Sequence, residues 1–263
     1  PPHPPPPLFF FNARATTEII SLYLHDALPI SREPKPVDRF SAYQRGGSLV
    51  LEWTNPSRYV DGSPLKTLGA IEIWTVEAPA AAGPKARKAG GDEVRGRLLR
   101  RIDKMAFAGL SKKAVADGSE WSCTLPLKPA DIHVPLRLSL RVTDEKGRAS
   151  RFSNPVTIEP QICPAPPRVS EVRVEKDRII IAWLAPETNV DGTRPAAVGG
   201  YAVYRSEDGG PFLKLSASPV PGLTFEDRDF QFGRKYNYIV RACTAKTNPP
   251  VESDDAGPAA LVP

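Results

Sequence analysis

The residues able to do chemistry are few. The chain of 263 residues holds three histidines, His3, His25 and His133, and three cysteines, Cys123, Cys163 and Cys243. A Ser/His/Asp or Cys/His nucleophile needs an imidazole at hand. Only His133 lies outside the N-terminal stretch, so no catalytic residue is assigned and the chain reads as non-enzymatic. Gly90-Gly91 and Gly199-Gly200 lack the flanking pattern of a phosphate loop. Asp61 and Asp191 could each lend a carboxylate to calcium, but neither loop carries the clustered oxygen ligands such a site needs. Each aspartate precedes a glycine, and turn formation accounts for both. Neither a metal nor a cofactor is expected. The odd cysteine count leaves at least one thiol unpaired within the chain.

Charge offers more. The formal net charge is +5, and residues 80–118 concentrate it, with ten basic and four acidic side chains. Ala78–Gly91 is rich in Ala, Gly, Pro and Lys, a flexible composition. Asp92 suits a helix N-cap, and Val94, Leu98, Ile102 and Met105 recur every three to four residues. This pattern predicts an amphipathic helix that lays Val94, Leu98 and Ile102 over Trp74 or over the junction between the chain's two domains. Its outer face would be Arg95, Arg97, Arg100, Arg101 and Lys104, a patch able to hold an anionic polymer or lipid headgroups weakly, less so as salt rises. No specific nucleic-acid partner is expected. No apolar run approaches the roughly 18 residues of a membrane-spanning helix.

The elements that would position these groups are written twice. Leu49-Val50-Leu51-Glu52-Trp53, Pro56, Asp61-Gly62 and Ile71-Glu72-Ile73-Trp74 recur as Ile179-Ile180-Ile181-Ala182-Trp183, Pro186, Asp191-Gly192 and Tyr201-Ala202-Val203-Tyr204, always 130 positions on. A period that long is a copied domain. Both copies alternate apolar and polar residues, which predicts half-buried strands, with Trp53 and Trp183 in the cores. The expected fold is all-β, two tandem sandwiches. Domain 1 spans 32–160 with an insert at about 78–118, a Pro-rich linker follows at 161–167, and domain 2 spans 168–263. Trp74 and Tyr204 fall out of phase with the inward residues and are candidate platforms for a sugar.

Both copies resemble fibronectin type III domains, with Trp53 and Trp183 at the strand B position. In the second, Tyr236-Asn237-Tyr238-Ile239-Val240-Arg241-Ala242 is similar to the family's strand F signature, and Tyr236 takes the place of its corner tyrosine. The first has Leu136 there, so the corner bond is expected to be missing. The resemblance implies a spacer or adhesion-type module of an exported bacterial envelope protein, sometimes a lipoprotein, monomeric, with a protein, glycan or anionic envelope polymer as partner. The alternative is an accessory region of a larger, carbohydrate-active enzyme. In this sandwich type strand A starts and strand F ends at one pole, which implies a disulfide between Cys163 and Cys243 on export and leaves Cys123 as a buried thiol. Residues 1–31, Pro-rich and then running Ala15–Ser31, resemble translated sequencing-adaptor read-through and read as a dispensable leader in place of the native N-terminus. The chain stops just after its last expected strand, as a piece of a longer protein would.

Overall fold

Leu49, Leu51 and Trp53 alternate with polar neighbours, and that period buries one face only in a strand. In the computed structural model, which describes residues 32–76, 96–115, 118–245, 247 and 249–261, the three form the buried face of β2 (Ser48–Thr54). Around it lie β1 (Asp38–Arg45), β3 (Leu68–Val76), β4 (Gly96–Asp103), β5 (Ser111–Val115), β6 (Gly118–Pro126), β7 (Leu136–Asp144) and β8 (Val156–Ile158). They make two antiparallel sheets, β1-β2-β6-β5 and β4-β3-β7-β8. One core takes Leu51 and Trp53 from the first sheet and Ile71, Ile73, Leu138 and Leu140 from the second.

The C-terminal half repeats the plan with β9 (Arg168–Val174), β10 (Ile179–Leu184), β11 (Val198–Glu207), β12 (Leu213–Lys214), β13 (Thr224–Asp227), β14 (Tyr236–Thr244) and β15 (Ala256–Leu261). Its sheets are β13-β10-β9 and β12-β11-β14-β15. Trp183 is buried with its ring edge against Tyr201, centroids 5.3 Å apart, over a core that includes Ile181, Val203, Tyr238 and Val240. Tyr236 is buried, and its hydroxyl accepts the Gln231 N–H at 2.9 Å, tying β14 to the loop before it. The fold is all-β, built from antiparallel sheets in sandwich arrangement.

The repeat of the sequence is also a repeat of hydrogen bonds. Asp61 Oδ1 accepts the Ser63 N–H, and Asp191 Oδ1 the Thr193 N–H. Gly62 and Gly192 both sit at φ +83°, a conformation only glycine adopts cheaply. Val60 N–H donates to Glu33 O, and Val190 N–H to Cys163 O. The bond that Glu33 O makes in the first copy thus recurs at Cys163 in the second. Within the Pro-rich stretch, residues 163–165 pair with the Thr188–Val190 segment.

The expected helix is a strand. Gly96–Asp103 pairs along β3 as β4, and a 3-10 turn at Lys104–Gly109 leads to β5, an edge strand the sequence did not suggest. The reason is an ambiguity of period. Spacings of four, as between Leu98 and Ile102, fit both a helical face and one face of a strand. The free edge of β3 decides between them, because pairing satisfies its backbone groups. A bulge at Leu99 then changes the phase, since Ile73 faces Arg100 but Trp74 faces Leu98. Ile102 and Leu99 consequently join the core, whereas Leu98 is 41% exposed. Val94 and Arg95 lie outside the described residues, as do 1–31.

One difference between the copies has an energetic consequence. Trp53 Nε1 donates to Asn55 Oδ1 at 2.8 Å, whereas Trp183 Nε1 is buried without a partner among the described residues. Residue 185, equivalent to Asn55, is an exposed Ala. Ala185→Asn is expected to raise the stability of the C-terminal half by about 1 kcal/mol, and Asn55→Ala to cost about 1–3 kcal/mol in the N-terminal half. Chemical denaturation of both variants measures this.

Candidate functional site

The basic patch read from the sequence is divided by the strand. Arg101 points to the outer face of β4, where it pairs with Glu72 at 2.6 Å and with Asp103 at 2.9 Å. Lys104 pairs with Glu145 at 2.6 Å. Arg100 reaches across to donate to Thr124 O of the opposite sheet at 3.2 Å. Arg97 makes no ion pair among the described residues and is the one described member of the five with neither an acid nor a carbonyl acceptor. Burial alone would push the Glu72 carboxyl up, but Arg141 at 2.5 Å and Arg101 outweigh it and hold it below its usual value.

Trp74 and Tyr204 are not open platforms. The Arg141 guanidinium stacks 4.8 Å from the Trp74 ring, and Phe152 meets that ring edge-on at 5.8 Å. Arg241 covers Tyr204 in the same way at 4.3 Å. The contact between the predicted helix and Trp74 is thus replaced by Arg141 and Phe152, with Leu98 alongside in register.

The most constructed surface lies where the two halves meet. The β1–β2 hairpin turns through Gly46-Gly47, with Gly46 at φ +51°. A short hairpin of this kind needs positive φ, which glycine supplies. Its tip docks on the C-terminal half. Gly46 N–H donates to Glu252 O at 2.9 Å, and Arg45 forms a parallel bridge with Glu252. Gln44, 7% exposed, donates through Nε2 to Gln161 O at 2.8 Å and accepts the Gln161 N–H through Oε1 at 2.8 Å. A Cβ on Gly46 would lie 2.3 Å from an Asp254 carboxylate oxygen, and one on Gly47 2.9 Å from Val190 Cγ1. The positive φ favours glycine at 46, and a side chain at either position would need Asp254 or Val190 to shift. The equivalent hairpin of the second copy has Lys176-Asp177 at its tip. The repeat in the sequence breaks at these two positions.

The receiving side is held by charge. Glu252 accepts from the Tyr204 hydroxyl at 2.7 Å, Lys214 Nζ at 2.7 Å and Arg241 Nη1 at 3.0 Å, while Arg241 Nε bonds Asp255 at 2.6 Å. Burial would raise the Glu252 carboxyl, yet these three donors lower it below its usual range. A lowered carboxyl stabilises the fold above its unfolded pKa of about 4.3 and loses that contribution as the pH falls through the lower folded value. Glu252→Gln should accordingly melt below the wild type at pH 7, and the two melting curves should converge as the pH drops below about 4. Burial beneath the tip moves Asp254 the other way, above its usual value, with Arg45 partly opposing.

The three cysteines are free thiols. Cys163 and Cys243 are buried beside this junction: Val190 donates to Cys163 O, and Cys243 bridges Glu252. Burial pushes their thiols up to about 12 and about 11. Cys123, expected to be buried, is half-buried on β6 instead, because β6 is covered on one side only by the narrow β5. His133 is exposed, at φ +61°, with its N–H on Pro160 O. Among the described residues no three His, Cys, Asp or Glu side chains gather as metal ligands, and no helix is long and apolar enough to cross a membrane. No protein-family model matches the chain, and no curated protein matches it in sequence.

Proposed function

We propose that the chain is a non-catalytic structural module: two fibronectin type III-like domains, 32–160 and 163–263, locked by the Gly46-Gly47 tip into a spacer of fixed geometry. The observation that carries this reading is the docked tip, with two glycines packed closely against Asp254 and Val190 and a glutamine that meets Gln161 through both of its amide atoms. A flexible tether would need none of these. The family assignment is supported by the sheet order β13-β10-β9 against β12-β11-β14-β15 and by the Tyr236 hydroxyl bond to the chain before β14. Small-angle X-ray scattering tests the spacer. The profile calculated from the structure should fit the protein in solution as a single species, whereas a fit requiring a spread of arrangements would contradict the reading.

Export is the second part of the proposal. In an oxidising compartment Cys163 and Cys243 would close a disulfide that joins the start of the second copy to the end of β14. Their raised pKa values disfavour the reactive thiolates in the folded protein. The bond should therefore form during refolding with oxidised glutathione and not after folding. Peptide mapping should find the Cys163–Cys243 pair with Cys123 free, and a mixture of pairings would count against it.

A further inference from the structure

Two thiols lie beneath the Gly46-Gly47 tip, and neither belongs to a core. Alternation along β14 turns Val240 and Ala242 inward and Cys243 to the other face, yet Cys243 is completely buried. Cys163, in the segment ahead of β9, is 3% exposed and likewise lies outside both cores. The first half supplies part of their cover. Glu252 is bridged to Arg45 on one side and to Cys243 on the other, and its carbonyl accepts the Gly46 N–H at 2.9 Å. Cys163 O accepts the Val190 N–H, and Val190 Cγ1 is the atom nearest the Cβ position of Gly47.

The electrostatics agree with this placement. After burial, the Asp254 carboxylate and the Cys243 thiol push the Cys163 thiol further up, while the Gly46 N–H opposes them. The Cys163 thiol is thus within reach of the tip, of the acid beneath it and of the second cysteine. Cys123 provides a contrast within the chain, half-buried on β6 opposite Leu51 in the first half. A cysteine attacks a disulfide only as an accessible thiolate. Whatever uncovers Cys163 therefore sets the rate at which the pair can be oxidised.

We propose that the Gly46-Gly47 tip gates a redox-active pair: seated, it keeps Cys163 and Cys243 inert to small disulfides, and withdrawn, it lets them close into a disulfide. The inference rests on the spacer reading, because it needs the tip to be seated in the resting protein. In the open state the Cys163 thiolate attacks one sulfur of oxidised glutathione, giving a mixed disulfide and one glutathione thiolate. The Cys243 thiolate then attacks the Cys163 sulfur, the Cys163–Cys243 bond forms, and the second glutathione leaves. The two cysteines give up two protons and two electrons, and one oxidised glutathione becomes two reduced molecules. Separation of the halves is thereby recorded as a covalent bond.

The test holds the folded full chain with oxidised glutathione under native conditions, quenches with acid and maps each cysteine by peptide. Hydrogen exchange on the same protein gives the protection of the Gly46 amide. In the wild type, the slowing of Cys163 relative to the unfolded chain should equal that protection, because one local opening controls both. Both should fall well short of the protection of the Val203 and Ala242 amides, which donate to buried serine hydroxyls. Gly46→Val, and Gln44→Ala, which removes both bonds to Gln161, should each speed closure of the Cys163–Cys243 bond about tenfold. Cys123 should react at its wild-type rate in both. Gly209 has positive φ and lies beyond the end of β11 remote from Cys243, so Gly209→Val weakens the same half without touching the tip. It should leave the pair as slow as in the wild type. Circular dichroism establishes that each variant folds, and if neither tip variant does, the wild-type match of Gly46 and Cys163 is the test. Oxidation of Cys163 only through global unfolding, unchanged rates in the folded tip variants, or equal acceleration in Gly209→Val would overturn the gate. A protected Gly46 amide beside a rapidly oxidised pair would overturn the gate and leave the spacer standing. An unprotected Gly46 amide would overturn the spacer reading and the gate with it.

Discussion

Trp53→Ala is expected to destabilise the N-terminal half by about 3–5 kcal/mol, and Trp183→Ala the C-terminal half by as much. Each indole is almost fully buried within its own core. In a calorimetric scan the transition of the half that carries the substitution should move by far the most, because the cores share no residue. Trp→Phe separates the two sites further. At 53 it leaves the Asn55 amide oxygen without its donor, whereas at 183 it removes a buried N–H that has no partner among the described residues. The phenylalanine should therefore cost more at 53 than at 183, by about 1–2 kcal/mol.

Gly46→Val is expected to free the two halves from one another. The substitution adds a β-branched side chain at φ +51°, which costs on the order of 1–3 kcal/mol. It also drives a methyl-bearing Cβ into the Asp254 carboxylate. Rotation of the exposed Asp254 side chain relieves that contact but not the backbone strain, and relief of the strain by withdrawal of the tip gives up the Gly46 N–H to Glu252 O bond and strains the Gln44–Gln161 pair. The cores lie elsewhere and should keep their shape. A wild-type-like circular dichroism spectrum with broadened solution scattering is the predicted outcome. Gly62→Val tests specificity, because Gly62 also has positive φ but nothing within 4 Å of its Cβ position. It should lose stability while leaving the arrangement of the halves unchanged.

Most of the sandwich plan was legible because two signals agreed. Strands such as Ser48–Thr54 and Ile179–Leu184 alternate buried and less buried residues, and the 130-residue offset let each copy corroborate the other. The insert had no counterpart in the second copy, and local pattern alone had to decide it. There the spacing of Leu98 and Ile102 served a strand as well as a helix, and the bulge at Leu99 hid the alternation that would have told them apart. Strand β5 was missed because Ser111–Val115 lies at an edge, where Lys112 and Lys113 face solvent and leave no apolar stripe. The junction was hidden for a different reason. Gly46-Gly47 reads as any tight hairpin turn, and its docking depends on Glu252 and Asp254, more than 200 positions away. The clue was comparative, glycines in one copy where the other has Lys176-Asp177. The basic patch failed as read because charge was counted along the chain, whereas Glu72 and Glu145, which neutralise Arg101 and Lys104, arrive from β3 and from the turn after β7.

The claim on which the rest depends is that the Gly46-Gly47 tip fixes one half against the other. Residual dipolar couplings of backbone amides in weakly aligned protein measure this directly, since each half reports its own alignment tensor. Couplings from β1–β8 and from β9–β15 are predicted to fit a single tensor with the orientation of the structure, and to require two tensors of different magnitude in Gly46→Val. Two different tensors in the wild type would contradict the account.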